Sequence, residues 1–423
     1  MSEPLSTDPY KGVRDFYPDD WARMSALFAR LRATLALWGY EEYNASPLER
    51  SEIYEAKTSE EIVNDQTYTF TDRGDRSVTL RPEMTPTLAR MVAGKRRELA
   101  FPLRWFSLPN VFRYERPQKG RLREHYQLNV DLVGIASRDA DLEVIALAST
   151  LLTSLGAKET DFSIRVNSRA LLTAACSAAG LAHSATREYL RLLDKKAKMT
   201  PEAFAAAQAI ITNTDPLAII ENDAGSSPDV AREKKALEDT IAALKERGVG
   251  NAIFDPTLTR GFDYYTSIVF EIFDTNPANP RSLFGGGRFD KLVSLFGADP
   301  IPAIGFGMGD VTLTDFLDTH GLTPTESGGK PQLYLGTPTP ADIPAAQAFA
   351  ETLRAQGCRV FVNLTDRALG DQIRDAVKRG IPLFIAYGAD ELANQTVRMK
   401  VLATGQEASF PLSDLPLRLK TGS

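Results

Sequence analysis

The sequence predicts an α+β protein: an antiparallel-sheet domain interrupted by a helical insertion, then a small α/β domain. Three stretches carry that expectation. Residues 106–134 read as two apolar segments around a charged loop, with Leu128, Val130 and Leu132 alternating against Asn129, Asp131 and Val133. That period of two, with Pro117 and Gly120 punctuating the loop, is the pattern of a long antiparallel hairpin. From about 171 to 250, charge-rich helical stretches such as REYLRLLDKKAK alternate with turn signals and no sheet pattern. After 331, QLYLGT, CRVFVN, PLFIAYG and TVRMKVLA alternate with helical runs, which predicts a small α/β unit with a largely parallel sheet.

Composition bounds the rest. At 423 residues, 43% apolar and 25% charged, the chain is an ordinary globular protein of two or three domains. Its net charge of −6 disfavours non-specific polyanion binding over the whole surface, yet permits a local basic groove. MSEPLSTDPY lacks a basic start followed by an apolar run, and no apolar run approaches the ~18 residues of a span. Neither a secretory signal nor a membrane span is expected. Cys176 and Cys358 are far apart and there are three histidines, so no disulfide and no Cys/His metal site is expected. A cytoplasmic location follows as the expectation.

In chain order, KGVRDFYPDD ends in a proline turn, and Met24, Leu27, Leu31, Leu35 and Trp38 recur at helical spacing up to Gly39. A strand at 40–49 is broken at Pro47, and short strands at 67–70 and 77–80 flank a turn at Gly74. The second runs into LRPEMTPTLARMVA, where Glu83 ends a strand and can take a substrate ammonium. Thr85 can either donate to the substrate or cap the helix that Pro86 begins. In the hairpin, Arg113 stands at the base and Arg116, Lys119, Arg121 and Arg123 follow in the loop. They form either a phosphate-binding set or a solvated tip. Gln127 and Asp131, four apart on one strand, project from one face. A helix at 140–155 and a strand at 163–168 precede the insertion. The sheet resumes at 258–273, where Arg260 and Asp263 sit beside the pair Tyr264–Tyr265, an odd composition for a packed interior. A GGG run at 285–287 says that backbone approaches something closely, and 303–317 reads as strand, glycine-rich turn and helix. A polar linker at 318–331 separates a core at 1–317 from the tail at 332–423. No GxGxxG follows the tail's first strand, so no dinucleotide site is expected there.

RYERPQKGRLREHYQLNVDLVG is similar to motif 2 of the class II aminoacyl-tRNA synthetases, in the form of their histidyl branch. Five other stretches support the resemblance in family order. The helix–strand–proline unit before it resembles motif 1, and TLRPEMT resembles TLRPEGT. LTRGFDYYTSIVFE and GGGRFDKL resemble the two histidine signatures, and GFGMGDVTL resembles motif 3. The tail resembles the anticodon-binding domain of that class, where Arg367, Gln372 and Arg374 are either anticodon contacts or ordinary surface.

The resemblance implies a class II catalytic core and a two-step reaction. Histidine is activated with ATP and Mg²⁺, and the histidyl group is then passed to the 3′ end of tRNA(His). It assigns Arg113 and Arg260 to the α-phosphate, with Gly307 and Gly309 at the nucleotide. Glu83 and Thr85 go to the amino group of histidine, and Gln127, Asp131, Tyr264 and Tyr265 to the rest of the amino acid. Arg116, Lys119, Arg121 and Arg123 go to the tRNA acceptor end, and motif 1 implies a homodimer. Departures are Phe289 for a tyrosine, Asp131 for a glutamate, and Thr312 where motif 3 carries an arginine. Lys291, in place of a glycine, is the candidate compensating cation. The competing readings are a regulatory paralogue of ATP phosphoribosyltransferase, which lacks such a tail, and an enzyme passing histidine to another acceptor, which the basic loop argues against.

Overall fold

The computed structural model describes residues 5–55, 66–118, 120–222, 227–260, 264–324 and 329–421. Lys119 and Asp263 lie outside the described residues. The chain divides into two compact units, Met1–Phe16 with Leu27–Pro324, and Tyr17–Ala26 with Thr325–Ser423.

The strands of the first unit are β1 (Glu41–Glu42), β2 (Leu48–Arg50), β3 (Tyr68–Thr71), β4 (Ser77–Leu80), β5 (Leu103–Ser107), β6 (Asn110–Phe112) and β7 (Glu124–Val133). They continue as β8 (Phe162–Ser168), β9 (Ala252–Phe254), β10 (Ile268–Asp274), β11 (Ser282–Arg288) and β12 (Ala303–Gly309). A nine-stranded sheet runs β1-β5-β7-β12-β11-β10-β8-β9, with β6 also on β7, while β2-β4-β3 form a small sheet. Its pairings are antiparallel except β1 with β5 and β8 with β9. The expected hairpin is here as β5 and β6 against β7, its first arm broken at Pro109, which cannot donate to the ladder.

Period two survives in β7, but both of its faces are covered: all six residues from Leu128 to Val133 are buried. Arg288 shows what covers the even-numbered face. Its guanidinium reaches Asp141 at 2.7 Å, on the helix Arg138–Ser154 that lies against that side. Phe270, Phe284 and Phe306 pack there edge-on and tilted, with centroids 5.6–6.2 Å apart. The odd-numbered face carries the site described below. At the N-terminus, the helix Pro18–Leu37 buries Leu27, Leu31 and Leu35 and ends at Gly39, whose φ of +75° suits a left-handed stop.

The stretch read as an insertion folds into helices Arg169–Ala178, His183–Lys195, Pro201–Ile211, Pro216–Glu221 and Pro228–Glu246. Its turn signals are helix starts. Ser168, Thr200, Asp215 and Ser227 each accept a backbone N–H from the first turn, and three of them precede a proline at the first helical position.

The second unit has β13 (Leu333–Gly336), β14 (Val360–Val362), β15 (Leu383–Ala386), β16 (Thr396–Val401) and β17 (Glu407–Pro411), in the order β14-β13-β15-β16-β17. Only the pairs of β13 with β14 and with β15 are parallel, which corrects the expected largely parallel sheet. The chain length explains it. A parallel return needs a dozen or more residues, and only 387–395 lie between β15 and β16. Gln372, read as surface or anticodon contact, is fully buried and ties Thr337 to Arg367 through its amide. No described helix is long and apolar enough to cross a membrane.

Candidate active site

A strip of glycine backbone forms the floor of a cavity in the first unit, here the main one because the expected site residues line it. On the odd-numbered face of β7, Gln127, Asn129 and Asp131 pair with Gly309, Gly307 and Gly305 of β12, and the last two pair with Gly285 and Gly287 of β11. Side chains cross directly above. A Cβ at Gly285 would overlap the Arg260 guanidinium, one at Gly305 the Asp131 carboxyl, and one at Gly287 would fall 2.8 Å from the Tyr265 ring. The GGG run therefore does what such a run implies, bringing backbone close to functional groups.

Over this floor lies a cavity of ≈ 290 Å³ lined by Glu83, Thr85, Arg113, Arg121, Gln127, Arg260, Tyr264, Tyr265, Gly307 and Gly309. These ten expected residues come from four separate stretches. Glu83 is 3% exposed and accepts a 3.0 Å hydrogen bond from the Tyr264 hydroxyl. Burial, then the Glu83 charge, pushes the Tyr264 phenol far above its ordinary range, so it stays a donor. Thr85 begins the helix Thr85–Lys95, the cap position is Met84, and the Thr85 hydroxyl turns to Tyr264 instead of capping. Arg81, in the same motif, is buried and donates to Asn110 O at 2.9 Å and Ala45 O at 2.7 Å, fixing the turn that presents Glu83. Phe289 packs edge-on to Tyr264 at 6.0 Å, so this part of the wall is apolar.

Arg113 donates from Nε to Pro82 O at 2.9 Å, which leaves its Nη atoms toward the cavity. Arg260 is anchored by Phe270 O at 3.2 Å and Glu271 at 3.4 Å, and its Nε is buried with no hydrogen-bond partner. Its φ of +54° is a left-handed conformation that a side chain adopts at a cost of order 1 kcal/mol. Burial opposes the Arg260 charge, but Tyr265 and Glu271 outweigh that and hold it protonated.

Asp131 stands apart from the cavity lining. Its carboxyl is buried over Gly305, its Oδ2 has no partner, and burial pushes it up to about 8. The loop arginines also separate. Arg121 lines the cavity and pairs with Glu115 at 3.1 Å, while Arg116 is exposed. Arg123 instead pins the loop base, donating to Tyr10 Oη at 2.9 Å, lying over Tyr114 at 4.0 Å and pairing its N–H with Gly12 O at 2.7 Å.

Thr312 lines the cavity with a hydroxyl that donates to Leu283 O at 2.6 Å. Lys291, the suggested compensating cation, is exposed and lines no part of the cavity, because it sits in the turn after β11 and faces out. Sequence reasoning missed His125, Asn129 and Glu115, all of which line it. His125 is neutral, since burial, then Arg113, takes its ring down to about 3. The period-two rule applied from Gln127 in both directions would have found both strand residues.

The histidyl-tRNA synthetase family model matches residues 12–311 of this chain. The chain belongs to the histidyl-tRNA synthetase family. An anticodon-binding domain model matches residues 333–421. The histidine–tRNA ligase of Leptospira biflexa is 39% identical, over 98% of both chains. The histidine–tRNA ligase of Thermoplasma volcanium is 35% identical, over 97% of this chain and 98% of its own. Among solved structures, histidyl-tRNA synthetase from Nostoc sp. PCC 7120 superposes with a TM-score of 0.77 at 22% identity, covering 98% and 99% of the two chains. The apo S. aureus histidyl-tRNA synthetase gives 0.75 at 24%, covering 98% and 100%. At that identity the structural likeness bears on the fold. The full-length ligase relatives disfavour the regulatory-paralogue reading.

Proposed function

We propose that this chain is a histidine–tRNA ligase, activating histidine with ATP and transferring it to the 3′ end of tRNA(His). Full-length similarity to ligases, joined to a cavity where Glu83, Tyr264, Arg113 and Arg260 converge over bare glycine backbone, carries the reading. Glu83 and Thr85 take the ammonium of histidine, Gln127 its carboxylate or amine, and Tyr264 and Tyr265 wall the imidazole. Asp131 meets an imidazole N–H beside Gly305.

A histidine carboxylate oxygen attacks the α-phosphorus, the bond to the bridging oxygen breaks, and pyrophosphate leaves. The terminal ribose hydroxyl then attacks the acyl carbon, AMP leaves, and the hydroxyl proton passes to solvent. Both steps need positioning and charge neutralisation, which Arg113 and Arg260 supply, and neither needs a protein nucleophile. Gly307 and Gly309 let the nucleotide approach the sheet. No three His, Cys, Asp or Glu side chains converge to hold a metal among the described residues. Mg²⁺ carried in on the phosphates could be met by Glu115, a carboxylate on the cavity wall, and such an ion would shield the phosphate charge.

Arg116, Lys119, Arg121 and Arg123 serve the acceptor end, Arg123 by holding the loop. Residues 1–317 form the catalytic core, and 332–423, after the 318–331 linker, read the anticodon. The enzyme is cytoplasmic, in keeping with two buried, unpaired cysteines. It is a homodimer, which would cover Leu37 and Leu48, 88% and 48% exposed in the single chain. Sedimentation at micromolar concentration checks the dimer, and a monomer counts against it. The central test is ATP–pyrophosphate exchange. It should require histidine and proceed without tRNA, and label should reach tRNA(His) when it is added. A folded protein without exchange would give first place to a regulatory role.

A further inference from the structure

The arginines that line the main cavity are each already faced by a carboxylate: Arg121 lies 3.1 Å and Arg113 4.0 Å from Glu115, and Arg260 lies 3.4 Å from Glu271. A triphosphate brings more negative charge than this balance can meet. At the end of β12, Thr312 offers only a hydroxyl, already donated to a backbone carbonyl.

A neighbouring cavity of ≈ 460 Å³ lies beside this one, and the two share Gly120, Leu283 and Thr312 as lining. Arg281 is the cation among the described residues lining that second space. It is exposed, and it makes no hydrogen bond or ion pair with any described residue. Its Cδ lies 4.0 Å, and Thr312 Cγ2 3.7 Å, from the point where a Cβ on Gly120 would sit. The arginine stem therefore crosses the seam between the two spaces, beside the position that lacks a cation.

We propose that Arg281 binds the β- and γ-phosphates of ATP at this seam, supplying from the segment before β11 the positive charge that position 312 does not. This rests on the reading that the main cavity takes ATP. A guanidinium fork matches two oxygens of one phosphate or one from each of two, and this one has no partner among the described residues to give up. Asp315 Oδ2 lies 4.0 Å from the same reference point and has an interaction of its own. That carboxylate disfavours a lone small anion at the seam. It bears less on a polyphosphate already held through its α-phosphate at Arg113, because the second contact is then intramolecular.

The test uses the full-length protein and direct titration of ATP and of AMP, together with pyrophosphate exchange. Arg281→Ala should weaken ATP binding about tenfold, as for a lost charge-assisted contact, and leave AMP binding and the histidine KM unchanged. Arg281→Lys should lie between. Adding Thr312→Arg to Arg281→Ala should recover part of the ATP affinity and not touch AMP. Equal weakening of ATP and AMP would overturn the proposal, since AMP has no outer phosphates. So would unchanged ATP binding with slower tRNA charging, which would give Arg281 to tRNA. If the wild type binds ATP without exchanging pyrophosphate, yet Arg281→Ala still weakens ATP alone, the phosphate site stands and the ligase reading fails.

Discussion

Asp131→Asn isolates the most perturbed acid in the site. The carboxyl is buried, Oδ2 is unpartnered, and burial raises its pKa to about 8 from an ordinary carboxylate value of ~3.9. A folded-state pKa above the unfolded one means that folding favours the protonated acid. Nothing is lost below the unfolded pKa. As pH rises from about 4 to about 8 the unfolded state ionises first, and stability falls by ~1.4 kcal/mol per unit. At pH 7 roughly three units have been crossed, so the penalty is of order 4 kcal/mol. Asparagine keeps the shape and has no charge to desolvate. The stability of Asp131→Asn relative to wild type, measured by urea unfolding from pH 4.5 to 8.5 without ligand, should therefore climb by about 4 kcal/mol and flatten above about 8.

The same buried acid makes a prediction about histidine. An imidazole N–H against Asp131 favours the carboxylate, so histidine binding to the wild type at pH 7 should release a proton. Calorimetry in buffers of different ionisation heat reads that release directly. In Asp131→Asn the proton release should vanish, and histidine should bind ~1.5–3 kcal/mol more weakly, the value of a hydrogen bond to a charged group. Tyr43 and Ser107 belong to the same buried group. The Tyr43 phenol is pushed up by burial and then by Asp131, with the Ser107 hydroxyl beside it partly offsetting the shift. A stability difference that does not move with pH would refute the buried neutral acid. Unchanged histidine affinity would remove Asp131 from the pocket.

Arg260→Ala should lower the rate of pyrophosphate exchange by 10²–10³ while near-UV circular dichroism stays native, because the guanidinium acts where charge develops. Two glycine substitutions should differ in kind. At Gly286 a Cβ would overlap Gly305 O and meet Phe306 Cβ at 2.6 Å, so Gly286→Ala should destabilise the sheet by ~1–3 kcal/mol or more in urea unfolding. At Gly307 it would meet Gln127 Nε2 at 3.0 Å, a side chain that can swing away, so Gly307→Ala should keep its stability and raise the histidine KM. Arg288→Ala strips the partner from buried Asp141, whose carboxyl burial already raises to about 6, and should cost ~3–5 kcal/mol at pH 8. That loss should shrink as pH falls toward 6, because without Arg288 the Asp141 carboxyl takes up its proton at a higher pH than in the wild type.

The parts of the fold legible in the sequence are those fixed by local rules. Ser168, Thr200, Asp215 and Ser227 start helices because a side-chain oxygen meets an N–H two or three residues on, which needs no knowledge of the rest of the chain. The hairpin was legible through its period and its loop. The tail shows the limit. β13, β14 and β15 follow the strand–helix rhythm, whereas β17 is short, half polar and mostly exposed, and carries no local signal strong enough to register. The burial of both faces of β7 was equally hidden, since Asn129 and Asp131 look like the wet side of a strand. They are instead the polar lining of an interior.

Charge was the least legible property, because its meaning depends on partners distant in sequence. Arg113, Arg121 and Arg123 look alike along the loop. One faces the cavity, one is balanced by Glu115, and one is held by Tyr10, 113 residues away. The same blindness made Lys291 attractive, being a cation near the right motif, when it faces outward. Arg281 has no motif to announce it and becomes significant only when β11, the turn at Gly120 and the end of β12 are seen to meet. A missing charge in a familiar pattern is therefore best sought among unpaired cations that share its space, and the sequence neighbourhood is a poor guide to which those are.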